Sequence, residues 1–64
     1  MSGMYSYTAR VWSRDGILTT HLVGGTTAGC ALTNLRRLRR GDWTRIEVGT
    51  GEGEGFRMLT EVSK

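Results

Sequence analysis

The chain contains no proline, a single cysteine and no apolar run long enough to span a bilayer. Each scarcity excludes something. Without a second cysteine no internal disulfide can staple the fold, so stability has to come from packing or from self-association. A lone thiol suits a reducing compartment, and a cytoplasmic location is the expectation. With no apolar stretch near ~18 residues and no basic-then-apolar leader, neither a membrane span nor a signal peptide is expected. Aromatic residues are also few, at two Trp, two Tyr and one Phe in 64 residues. A chain this short buries only about 60% of its unfolded surface, which leaves a thin core and no deep, many-walled cavity. Residues 1–64 therefore read as one domain, and its size weighs against an enzyme.

Arginine and glycine are what the chain has in quantity. Four of its nine basic residues fall in the five positions Arg36-Arg37-Leu38-Arg39-Arg40, and the formal net charge is only +3. Take those four away and the rest of the chain is net negative. The basicity is thus one local patch, able to meet a polyanion or an acidic protein surface. All the basic residues but Lys64 are arginines, whose planar forks pair bidentately with phosphate or carboxylate.

Residues 5–13 alternate with period two, and residues 17–23 are apolar and β-branched. Asp15-Gly16 between them predicts a two-residue hairpin turn. That turn sets Val11 opposite Thr20, Ala9 opposite Leu22 and Ser13 opposite Leu18 on a mostly apolar face. Arg10 with His21, and Trp12 with Thr19, then share the polar face. After Gly24-Gly25, Thr26 or Thr27 is placed to cap a helix over residues 27–40. Ala28, Ala31, Leu32, Leu35 and Leu38 form its apolar stripe, and Gly41 is placed to end it in the left-handed conformation. Residues 43–48 read as a third strand and residues 56–62 as a fourth, with Phe56, Met58 and Val62 on one face. Glycine at every second position of 49–55 reads as a mobile loop. The expected fold is α+β, a small antiparallel four-stranded sheet (β-β-α-β-β) with one helix packed on one face. Its expected core is Leu32, Leu35, Leu38, Leu22, Val11, Ile46, Val48 and Met58.

The first candidate site is Arg36, Arg37, Arg39 and Arg40 as a macromolecule-binding surface. Cations at a helix C-terminus also favour the macrodipole with no partner at all, but four exceed what that explains. The second candidate is the sheet face away from the helix. Arg10, Trp12, Trp43, Arg45 and Arg57 are expected there, a mixture suited to base stacking or to an interface hot spot. Opposed to that is an ordinary margin of core-covering tryptophans, with Glu47 paired across to Arg57. The glycine-rich approach to the helix lacks a P-loop lysine and reads as a turn and cap. Cys30 and His21 are the only soft ligands and are expected on opposite sides of the sheet, so no metal, cofactor or catalytic pair is expected. The functional expectation is a small non-enzymatic binding protein that engages nucleic acid or an acidic protein surface, with no membrane role, as a possible homodimer. A phage or mobile-element inhibitor of a host enzyme or defence complex is the alternative.

Overall fold

The computed structural model describes residues 4–64; the first three, where a leader would begin, lie outside the described residues. Strand β1 spans Tyr5–Trp12, β2 Leu18–Gly25, helix α1 Ala28–Arg39, β3 Arg45–Thr50 and β4 Arg57–Ser63, with a 3₁₀ turn at Gly53–Gly55. The four strands form one antiparallel sheet in the order β2-β1-β3-β4. One α-helix packs on one face of it, so the fold is the α+β arrangement read from the sequence.

The first hairpin differs in one respect that reaches far. Ser13 N–H donates to the Ile17 carbonyl and Gly16 N–H to the Ser13 carbonyl, both at 3.0 Å. The connection is thus the three residues Arg14-Asp15-Gly16, with Gly16 at φ 81°. A three-residue loop ending in a left-handed glycine is the next commonest hairpin solution after the two-residue one. It sets Val11 opposite Thr19 and Ala9 opposite His21, one residue off the expected pairing. A slip of one residue exchanges the faces of a strand. Thr19, His21 and Val23 therefore lie on the helix side, while Leu22, expected in the core, is 76% exposed.

The core consists of Ala9, Val11, Ala31, Leu32, Leu35, Trp43, Ile46 and Val48. Five of the eight residues expected there are buried. Leu38 is not, at 79% exposure: it lies on the flank of α1 that it shares with Asn34, and Arg39 takes the sheet-facing place in the final turn, reaching His21 and Thr19. Met58 is displaced by a bulge opposite Val48/Gly49, which pairs Met58 with Gly49 and Arg57 with Thr50. Val48 faces the helix, so Met58 shifts to the open face and Arg57 to the helix side. Phe56 precedes β4 and lies against Arg10 rather than in the core stripe. Glu47 faces Glu61, not Arg57.

The N-terminus of α1 is capped as the sequence suggests, whereas the C-terminal cap falls one residue before the expected Gly41. Thr27 Oγ1 accepts from Cys30 N–H at 3.1 Å. Gly25, buried at the end of β2, lets the helix approach closely: a Cβ there would lie 2.7 Å from the Ala31 nitrogen. At the other end Arg40 itself takes the left-handed cap position (φ 49°, ψ 41°), and Gly41 follows at φ 89°.

The glycine-rich segment is not the free loop that its composition suggests. Gly49 and Thr50 belong to β3, and Arg10 Nη2 donates to the Gly53 carbonyl at 3.2 Å. A Cβ on Gly49 would lie 1.9 Å from the Arg57 carbonyl oxygen; on Gly51, at φ 86°, 2.2 Å from that of Gly55. These are backbone collisions that no side-chain rotation relieves. Gly53, at φ 55°, has open space where a methyl group would stand. Substitution to alanine should therefore destabilise in the order Gly49, Gly51, Gly53, the first two by about 2–4 kcal/mol and the third by about 1 kcal/mol. Chemical denaturation of the three single variants measures that order, and equal, negligible losses would show the segment to be unpacked.

Candidate anion-binding surface

Helix α1 ends with its basic residues divided by function. Arg39 is drawn inward: its Nη2 lies 2.6 Å from His21 Nε2 and 3.3 Å from Thr19 Oγ1, and its Nη1 is 4.0 Å from Asp42. The register of β2 creates this contact by bringing His21 to the helix side. A guanidinium can donate to that ring nitrogen only when the nitrogen carries no proton. Arg36, Arg37 and Arg40 are exposed and have no acidic partner among the described residues.

Trp43 organises the outer part of the patch. Strand alternation would put it on the open sheet face, but β3 begins only at Arg45, so that alternation does not reach it. The linker folds it under the helix end, where it is 3% exposed and closes the core. Two cations sit over its ring, Arg36 Cζ at 5.9 Å and Lys64 Nζ at 4.7 Å. Backbone pairing positions the lysine, since Lys64 N–H donates to the Thr44 carbonyl at 2.9 Å. Thr33, Arg36, Arg37, Gly41, Trp43 and Lys64 line a cleft of ≈ 390 Å³, with no Asp or Glu among them. The ring's negative face attracts each cation by about 0.5–2 kcal/mol, and the helix C-terminus supplies about half a negative charge. Neither neutralises the group. Lys64 carries no local sequence signal, being far from the arginines along the chain.

The open sheet face is occupied differently. Arg45 donates to Glu47 Oε2 through Nε at 3.1 Å and Nη2 at 2.8 Å, and reaches Glu61 Oε1 at 2.7 Å. The Glu47 hydrogen bond, helped by the attraction of both carboxylates, raises its affinity for its proton above the ordinary arginine value. Its Cζ is 5.8 Å from the half-buried Trp12 ring. Arg10 stacks on Phe56 at 4.0 Å. Of the five residues expected on this face, Arg10, Trp12 and Arg45 are present, with the two arginines held internally; Trp43 and Arg57 are elsewhere.

Cys30 lies in the first turn of α1, and His21 meets Arg39 in the last, so the two are separated along the helix rather than across the sheet. Hydrogen bonding to the Thr27 side chain, then to that of Thr26, lowers the exposed Cys30 thiol below the ordinary thiol range. No cluster of three His, Cys, Asp or Glu residues placed to hold a metal occurs among the described residues. No described helix is long and apolar enough to cross a membrane. Comparison with family models, curated proteins and solved structures gave no match to this chain.

Arg40 offers a test of the patch's backbone. A side chain in the left-handed region costs about 1–2 kcal/mol against the right-handed one, and glycine escapes most of that. Arg40→Gly should raise stability by about 0.5–1 kcal/mol while removing a charge from the surface. A lower melting temperature would show that the arginine side chain itself stabilises the helix end. At the other end Thr27→Ala should cost about 1 kcal/mol as a lost cap. It should also raise the Cys30 pKa, so that alkylation of the thiol slows at neutral pH. Unchanged alkylation would mean that the threonine does not control the thiol.

Proposed function

We propose that this chain is a small non-enzymatic binding protein that engages nucleic acid through its phosphate backbone, using Arg36, Arg37 and Arg40 together with Lys64. The observation that carries the reading is the cleft over Trp43, where two cations share one ring and no Asp or Glu side chain lines the walls. Like charges brought together in this way repel, and an anion in the cleft relieves the repulsion. Duplex DNA presents one charge per about 1.7 Å of axis, which suits several cations grouped at one helix end. The aromatic ring of the site is buried beneath the cations, which favours phosphate contact over base stacking. Arg39, being committed to His21 and Asp42, serves to hold the helix end on the sheet. The proposal extends to a homodimer in which two such surfaces act together.

The triple variant Arg36→Gln, Arg37→Gln, Arg40→Gln should keep its fold, because the three side chains are exposed and glutamine retains helix propensity. Fluorescence anisotropy with duplex DNA and with single-stranded RNA, titrated with salt, gives the readout. The slope of log affinity against log salt should fall by about 1 for each phosphate that the variant no longer neutralises. Undiminished binding by the triple variant would overturn the assignment. A wild-type protein that ignores nucleic acid, yet captures a partner insensitive to nuclease and lost in the triple variant, would assign the surface to an acidic protein instead.

A further inference from the structure

The outer edge of β2 combines unpaired backbone with exposed apolar side chains. The Ser13–Ile17 hydrogen bond fixes the alternation of the first hairpin, so Thr19, His21 and Val23 turn their backbone groups toward β1. Those of Leu18, Thr20, Leu22 and Gly24 turn outward from the sheet. One confirms the phase directly: the Gly24 carbonyl accepts from Asn34 Nδ2 at 3.2 Å, from beyond the strand. The outward groups of Leu18, Thr20 and Leu22 have no hydrogen-bond partner among the described residues. The side chains of the same residues lie on the open face, Leu18 at 47% and Leu22 at 76% exposure. Leu38, four residues after Asn34, occupies the same flank of α1 and is also exposed.

Protected edges carry charge, bulges or proline. At the opposite edge of the sheet β4 follows that rule, with Arg57, Glu61 and a bulge. β2, of sequence LTTHLVGG, has no Asp, Glu, Lys or Arg and pairs with β1 without a bulge.

We propose that β2 pairs antiparallel with β2 of a second copy of this chain, about a twofold axis at Thr20. The occupant follows from the register. Setting Thr20 opposite its own copy places each Leu18 opposite Leu22 of the other chain, and all three outward residues become hydrogen-bonded pairs. The two leucines thus meet as cross-strand neighbours on one face, twice by symmetry. An uncharged strand meets its copy without opposing like charges. The result is a continuous eight-stranded sheet with both helices on one side. The pairing is independent of anion binding, since neither the arginines nor Lys64 takes part.

Sedimentation across a concentration series tests it, at about 0.5 M salt to screen phosphate contacts and with no nucleic acid present. The wild-type chain should show a monomer–dimer equilibrium. Leu18→Glu and Leu22→Lys, both at exposed positions, should each weaken it by about tenfold. An equal mixture of the two variants should recover tight dimers, because the new carboxylate on one chain then faces the new ammonium on the other. A wild-type chain monomeric to millimolar concentration overturns the proposal, and so does a mixture no tighter than its separate components. Loss of nucleic-acid binding in the arginine triple variant with dimerisation intact would leave this interface standing by itself.

Discussion

The hydrogen bond from the Ser13 amide to the Ile17 carbonyl closes a three-residue loop, and every facial assignment in β2 follows from it. Because side chains alternate with period two, the loop's length decides which half of the strand faces the helix. It puts His21 where Arg39 can reach it, removes Leu22 from the core and turns the backbone of Leu18, Thr20 and Leu22 outward. The helix end and the sheet edge are shaped by the same turn, although they lie on different elements.

The charges show a division of labour. Arg10, Arg39 and Arg45 are each held by an internal partner: an aromatic ring and a carbonyl, an imidazole and a carboxylate, and two carboxylates. They fasten the loop, the helix end and the sheet face of a domain whose buried side chains are few. Arg36, Arg37 and Arg40 fasten little. Exposed pairs of this kind contribute less than about 1 kcal/mol apiece, so the held arginines matter mainly for placement. What they place is the surface on which the remaining cations stand.

Element types and their order are legible in the sequence because turn residues and apolar periods agree there. The helix stripe predicts Ala31, Leu32 and Leu35, and alternation predicts Val11, Ile46 and Val48, all of them buried. Local geometry hides the rest. Asp15-Gly16 favours a two-residue turn, and only the three-dimensional pairing shows that Arg14 joins the loop. The bulge in β4 has no marker except Gly49, whose missing side chain admits the Arg57 carbonyl. Trp43 escapes the alternating pattern because that pattern starts two residues later, at Arg45. At the candidate site the arginine cluster is evident from composition, whereas Lys64 reaches it only through the pairing of β4 with β3. The inward turn of Arg39 depends on the β2 register and so is beyond any reading of the helix alone.

The bulge and charges of β4 have a bearing on how large an assembly can become. A sheet with two receptive edges adds units without limit and grows into a fibre. Here one border is blunted by Arg57, Glu61 and an extra residue, and the other ends where Asn34 occupies the Gly24 carbonyl. Under the β2 pairing proposed above, growth by strand addition would have one point of attachment per molecule, and a single symmetric event would consume it. In that assembly the asymmetry of the two borders would act as a stoichiometric stop, guarding a small, glycine-rich domain against open-ended polymerisation.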